Sequence, residues 1–460
     1  MRTMKMESGL YQLVYEYFKA RILYGFYGEG DKLPSAPKIG STFHLAPATV
    51  RVALSALEQN GYIRQEERKT ARVAYKTEPG QFRRHAAEYF VPRETGIRDL
   101  AESGWLILDP LWQAGLARWQ DEDWDRLMQG LTESPLGLSS VTVEFFILAL
   151  SGLKNQLALN LYWETVRYNR YPYLRKFDER MPVFPELRGK PREEVLSFLG
   201  EKFKQRDARE LKELSAFIGE ARAQYALEKA APVPFCWSIY RQRPQLRYTL
   251  VSQVIREILR GDFPVGSYLP TIPQMAKRYG VGANTVRRAL SILSLLGVTR
   301  SFHGKGTLVC MEDKAIDFSN REIAAGFKLY RETMEILSLT SRQVALSVLQ
   351  AVSSQTLQEL QKKLTELEKQ GKCYFCFELF SSFIEQNSGS LFVKECYGKF
   401  RDLMVWGYPY VRMRVGEKNL NAEYRGDLSS MKKSLSRGEL EGFADAVEAL
   451  CRREWKSLPG

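Results

Sequence analysis

Residues 283–290, Ala-Asn-Thr-Val-Arg-Arg-Ala-Leu, gather the side chains of this chain best suited to reading a nucleic acid. An asparagine suits adenine or a phosphate oxygen, and a threonine hydroxyl serves either partner. An arginine spans a guanine edge or holds the backbone. Asn284, Thr285, Arg287 and Arg288 lie within five residues, with the small Ala283 before them. Downstream, His303-Gly304-Lys305-Gly306 forms a tip whose glycines let the backbone approach a polyanion, with Lys305 as counter-charge. Thr271 completes the set at the start of the preceding short helix.

Three helices and a hairpin must position these groups. Leu250, Val254 and Ile258 recur at four-residue spacing with Val251, Ile255 and Leu259 beside them, which predicts a helix over 248–260 ending at Gly261. A loop with Pro264 and Gly266 leads to Leu269-Pro270 and a short helix over Ile272–Tyr279. Gly280 permits a tight turn into a third helix, 283–296, with Val286, Leu290 and Leu293 inward. Two strands, 298–300 and 306–309, flank the glycine tip. That order is a winged helix-turn-helix. Residues 241–310 hold 11 basic and 2 acidic residues, a net +9 that suits a polyanionic partner.

The chain repeats this unit. Residues 33–54 align without a gap on 269–290 at an offset of 236, with eight identities in 22 positions. Gly25/Gly261, Gly30/Gly266 and Gly61/Gly297 keep the register, and YPYLR at 171–175 echoes YPYVR at 408–412. A period of about 230 residues is domain-sized, so the chain reads as a tandem duplication rather than a solenoid. Ser35, Ala48, Thr49 and Arg51 are the first copy's counterparts for DNA contact. Pro47 occupies a first-turn position where its missing N–H costs little. The first wing, 65–69, has no glycine and two acids, and residues 1–76 carry only a net +5. The first head is therefore expected to bind DNA more weakly or with another preference.

The N-terminal helix, the L-P opening, the T-V-R-x-A-L helix and the G-x-G-T wing together resemble the GntR family of bacterial regulators, over roughly residues 8–76 and 244–310. Many members of that family carry a guanine-reading arginine shortly after the L-P, where this chain has Pro37 and Pro273. Specificity then rests more on the recognition helix. The remaining segments resemble the family's all-helical effector class of the FadR type: helical pairs at 107–131 and 336–364, helices around 141–168 and 375–406, and closing helices at 191–225 and 436–455. The expected fold is mainly α, with winged heads at 1–76 and 236–312 and helical bundles at 77–235 and 313–460.

Such effector domains often hold a metal through one acidic residue and three histidines. This chain has only His44, His85 and His303, with His85 expected in a linker and the others in the heads, so no metal and no other cofactor is expected. Glu144 and Glu378 read as solvated or core-capping carboxylates, and Cys373 and Cys376 as buried helical thiols. Arg167, Arg170, Arg412 and Arg414 stand in aromatic-basic clusters that either bind an anionic effector or pack a helix interface with their charges outside.

The bulk numbers agree with a regulator. The chain has 460 residues, a net charge of +13 and 44% hydrophobic residues, enough for several folded cores. No signal peptide or membrane span is expected, because the most apolar stretch, 141–150, is short and contains Glu144. Six cysteines make no disulfide framework, so a cytoplasmic, nucleoid-associated setting is expected. No P-loop, dinucleotide-type glycine loop, G-x-S-x-G or H-E-x-x-H is present, so no enzyme is expected. The expected partners are a double-stranded DNA operator and a small-molecule effector, with no membrane. Two fused copies can reproduce within one chain the two-fold arrangement of a dimeric regulator, either as a monomeric pseudo-dimer or as a homodimer of such chains. A rival reading keeps the winged heads as protein-interaction modules.

Overall fold

The apolar stripes fold as helices, and the L-P segments fold alike in the two copies. The computed structural model describes residues 10–43, 45–65, 70–76, 80–132, 141–169, 184–239, 246–312 and 315–459. Met1–Cys236 and Trp237–Gly460 form two units. In the first, α1 (Leu10–Leu23), α2 (Ala36–Phe43) and α3 (Pro47–Gln59) precede the hairpin β1 (Ile63–Arg64) and β2 (Arg72–Val73). Helices follow: α4 (Gln81–Phe90), α5 (Glu94–Ser103), α6 (Trp105–Ala117), α7 (Asp121–Thr132), α8 (Val141–Ser151), α9 (Gln156–Asn169) and α10 (Arg192–Gln224).

In the second unit, α11 (Leu246–Arg260), α12 (Ile272–Tyr279) and α13 (Ala283–Leu295) precede β3 (Thr299–Phe302) and β4 (Gly306–Val309). The bundle comprises α14 (Arg321–Ala351), α15 (Ser354–Lys369), α16 (Cys376–Asn387), α17 (Leu391–Met404), α18 (Gly407–Val415), α19 (Glu417–Ser436) and α20 (Leu440–Ser457). The fold is thus mainly α, with each winged head followed by a helical bundle.

Matching backbone bonds show why the repeat keeps its glycines. Gly30 N–H donates to Val73 O and Gly266 N–H to Val309 O, each at 2.8 Å, and both glycines have φ of 89°. That left-handed turn excludes other residues at low cost. Leu33 and Leu269 then bond Ala71 and Thr307, adding a third short strand to each wing. Inside the second head, Val286, Ala289, Leu290, Ile292 and Leu293 of α13 are buried, as are Val251, Val254 and Ile255 of α11.

The bundles depart from the sequence reading in three places. Residues 336–351 belong to one helix that begins at Arg321, because Asn320 caps it by accepting the N–H of Glu322 and Ile323. The closing region holds two helices, α19 and α20, where only 436–455 was expected to be helical. His85 lies in α4 rather than in a linker, and α4 packs on α10. Among the described residues no helix is long and apolar enough to cross a membrane.

Glycines bring α6 and α8 together. A Cβ on Gly115 would stand 2.0 Å from Ala149 O, and one on Gly152 2.5 Å from Gly115 O. Backbone faces backbone, so neither side can yield by rotating a side chain. Gly115→Val should therefore cost about 1–3 kcal/mol of first-unit stability, read as faster amide exchange in α6 and α8 with the second unit unchanged.

Candidate nucleic-acid interface

The recognition helix of the second head presents its first turns to solvent. Gly282 caps α13 without a side-chain bond, and the first intrahelical bonds are made by Thr285 and Val286 to Gly282 O. The N–H groups of Ala283 and Asn284 therefore point out of the helix end, where the helix dipole favours an anion. Ala283, Asn284, Arg287 and Arg288 are exposed and Thr285 is half-buried, while Val286 between them is buried. Anchor and reading face thus alternate on the same two turns.

The turn that aims this helix is fixed by side chains that periodicity does not reveal. Thr271 and Gln274 form a reciprocal capping box at the start of α12: the Thr271 side chain accepts the Gln274 N–H, and Gln274 Oε1 accepts the Thr271 N–H at 2.9 Å. Thr271 is exposed, and its hydroxyl serves this cap. At the other end of α12, Tyr279 O–H donates to Glu257 of α11 at 2.6 Å and Arg278 pairs with the same carboxylate at 3.2 Å. Burial and that carboxylate together push the Tyr279 phenol up. Gly280 then takes φ of 61° and closes the tight turn.

The wing tip turns through Gly304 and Gly306, with φ of 72° and 109°. His303, Gly304, Lys305 and Gly306 are all exposed. Strand pairing puts Arg300, Phe302, Gly306, Leu308 and Tyr268 on one face and the buried Thr299, Thr307 and Val309 on the other. Tyr268 can cross Gly306 because a Cβ there would already stand 3.4 Å from its ring.

The charge footprint is smaller than the net +9 suggests. Arg247, Arg256, Arg260, Arg278 and Arg300 are paired with Glu322, Asp402, Glu378, Glu257 and Glu312. Among the described residues of this head, Lys277, Arg287, Arg288 and Lys305 remain exposed without an ion pair. Arg241 and Arg243 lie outside the described residues.

The first head offers less. Pro47, at the position of Ala283, has no N–H to give, Ala48 stands for Asn284, and Val52 for Arg288. Ala48 and Arg51 are exposed and Thr49 is half-buried, as in the second copy. Ser35 is exposed, and its hydroxyl accepts the Lys38 N–H at 3.4 Å. At the position of Glu257 stands Arg21, 1% exposed, with its guanidinium 4.8 Å from the Tyr17 ring and 5.3 Å from that of Phe26. Of the expected wing, 65–69, residues 66–69 with both acids lie outside the described residues, as does His44.

The arginines considered for an effector are engaged internally. Arg414 bonds Glu454 at 3.2 Å and Glu423 at 3.4 Å. Arg412 is buried at 8% exposure, and Arg167 stands 3.5 Å from Glu164. Arg170 and the YPYLR echo lie outside the described residues, as does the side chain of Glu144. Glu378 is held by Arg260 and Arg401. Cys373 and Cys376 are buried, and burial raises both thiols. Among the described residues no three His, Cys, Asp or Glu side chains converge as a metal site would require.

Two heads with this helix order, cap and wing make the chain a tandem winged helix-turn-helix protein. The sequence pattern of the family described as bacterial regulatory proteins, gntR family, matches residues 10–73 and 246–309. Both heads thus carry the sequence pattern of that family. Similar proteins include the HTH-type transcriptional regulator RmpR of Mycobacterium gastri, 36% identical over 84 residues, 17% of this chain and 31% of that one. The HTH-type transcriptional repressor STM4068 of Salmonella typhimurium is 31% identical over 67 residues, 15% of this chain and 28% of that one. The uncharacterized HTH-type transcriptional regulator YhcF of Bacillus subtilis is 27% identical over 99 residues, 21% of this chain and 79% of that one. The chain thus spans about a third of the length of the first two relatives. A solved structure, E. coli McbR/YncC, shares 18% identity, covering 45% of this chain and 94% of that one, at a TM-score of 0.26.

Proposed function

We propose that this chain is a sequence-specific DNA-binding transcriptional regulator whose second head is its main reader. The observation that carries the proposal is the open first turn of α13, where Asn284, Thr285, Arg287 and Arg288 surround unbonded N–H groups. In this reading Asn284 and Thr285 meet base edges, while Arg287 and Arg288 hold guanine or phosphate. His303, Gly304, Lys305 and Gly306 approach the backbone or the minor groove. Thr271 and Ser35 act near the start of the second helix of each head, and Ala48, Thr49 and Arg51 make the weaker set of contacts. The four-part division places a change from head to bundle at 76 and 312 and the start of the second copy after 235.

Two fused heads read an asymmetric, imperfect palindrome, and covalent linkage raises the effective concentration of the weaker one. The bundles, of the FadR-like class, take up a small anionic effector that shifts the equilibrium between head arrangements. At Arg414 such an anion competes with Glu423 and Glu454. Mass measurement in solution separates a single-chain pseudo-dimer from a homodimer.

Selection of bound fragments from random DNA, followed by a salt titration, tests the proposal. Counterion release lowers log K by about 0.9 per phosphate contact per log unit of salt, so four uncommitted cations in the main head predict a slope of about −3 to −4. No enrichment in the selection would overturn it. The rival reading, a protein-interaction scaffold, draws on the exposed Tyr268 and Phe302 of the second wing. It predicts no steep salt response toward DNA.

A further inference from the structure

The second head is tied to its bundle along one stripe of α11. Tyr248, Ser252, Arg256 and Arg260 follow each other at four-residue spacing and so share a helix face. Each meets the bundle. Arg256 pairs with Asp402 near the end of α17, and Arg260 lies 3.5 Å from Glu378 in the first turn of α16. Glu378 is shared with Arg401 at 3.7 Å, and Arg401 holds Glu385 at 2.7 Å, so the contact belongs to a chain of alternating charges. Trp406, only 2% exposed, donates from Nε1 to Ser252 Oγ at 3.0 Å and stands 5.6 Å from the Tyr248 ring. Its ring lies on Gly326, where a Cβ would come within 2.4 Å, so α14 presses against the same joint. Arg247 adds a flanking pair with Glu322 at 3.1 Å.

We infer that this stripe is an ionic clamp by which the second bundle sets the attitude of its own recognition helix. The next residue after Arg256 is Glu257, which holds Arg278 and Tyr279 at the turn into α13. A displacement of α17 therefore reaches α13 through two consecutive residues of α11, and one of α16 acts on the same helix through Arg260. Asp402 and Glu378 are 38% and 28% exposed, so ionic strength and a changed bundle surface both act on the clamp. The matching positions of the first copy are Gln12, Glu16, Ala20 and Tyr24, so the two arginines of the stripe have no counterpart there. The consequence for operator binding rests on the function proposed above, and the clamp itself does not.

Hydrogen exchange on the full-length chain without DNA tests the clamp. With Asp402→Asn and Glu378→Gln combined, amides of α11 should lose about tenfold in protection at low salt, while α14 and α20 keep theirs. Raising the salt should bring wild-type α11 towards the variant and leave the variant unchanged. Swapping one pair, Arg256→Asp with Asp402→Arg, should restore much of the loss. Unchanged α11 protection in the amide variant, or an equal loss throughout the unit, would overturn the inference. A second arm measures affinity for a selected DNA fragment. Lost protection with altered affinity extends the clamp to operator control, and lost protection with unaltered affinity overturns that extension. A chain that binds no DNA defeats the proposed function and leaves the exchange result standing.

Discussion

On a DNA fragment selected by the wild-type chain, Thr285→Ala with Arg287→Ala is expected to weaken binding by about 30-fold to 10⁴-fold. Each side chain in close contact with a base or phosphate contributes about 1–3 kcal/mol, and each 1.4 kcal/mol is tenfold. Truncation of either residue should leave the head folded, since Arg287 is exposed and the helix is anchored by Val286, Ala289 and Leu290. The two losses should also differ in kind. If Arg287 holds a phosphate, its removal lowers the salt slope by about one, whereas loss of Thr285 leaves the slope unchanged. The matching pair, Thr49→Ala with Arg51→Ala, should cost less, because the first helix has Pro47, Ala48 and Val52 where the second has Ala283, Asn284 and Arg288. Equal losses from the two pairs, in a direct titration, would contradict the ranking of the heads.

The second large effect is on stability. Glu454 is 0% exposed, with Arg414 at 3.2 Å and Arg453 at 3.5 Å, and the Tyr424 hydroxyl donates to it. Removing one member of a buried pair strands the other, at about 3–5 kcal/mol. Glu454→Ala should fall at the lower end of that range, because Arg453 is 40% exposed and can turn to water. Arg414, at 23%, has less freedom and keeps only Glu423. Native-state exchange in α14 and α20 reads this loss, and the first unit should be unaffected.

Proton linkage gives a second signature of the same residue. Burial pushes the Glu454 carboxyl above its ordinary value, against the opposing pull of Arg414 and Arg453. As pH rises through the usual carboxylate range, the unfolded chain releases this proton before the folded chain does. Stability from this group therefore declines with rising pH until the folded carboxyl has also ionised. Glu454→Gln keeps the volume and an acceptor for Arg414, so it should cost less than alanine and abolish that decline. A decline that persists in the glutamine variant would assign it to another group.

The heads were legible because their geometry is local. A stripe at four-residue spacing, an L-P opening and three glycines recurring at an offset of 236 each act over a few residues. Both copies show the outcome in identical Gly30 and Gly266 turns. The charge of the reading face was overestimated for the opposite reason. Composition counts arginines without their partners, and the acids that engage Arg247, Arg256 and Arg260 lie 75 to 146 residues away, in Glu322, Asp402 and Glu378.

The bundles divide along the same line. Amphipathic periodicity identified most of their helices, since burial of one face imposes it on any partner. It missed the start of α14, where Asn320 caps a polar first turn, and it left His85 outside the helix that contains it. The residue types and spacing alone determined that the chain carries two winged heads and where each reading helix begins. Only the folded chain decided which charges remain available and what joins head to bundle. Ion pairs and backbone contacts such as Gly115 on Ala149 join segments far apart in sequence, and no local pattern encodes such a meeting.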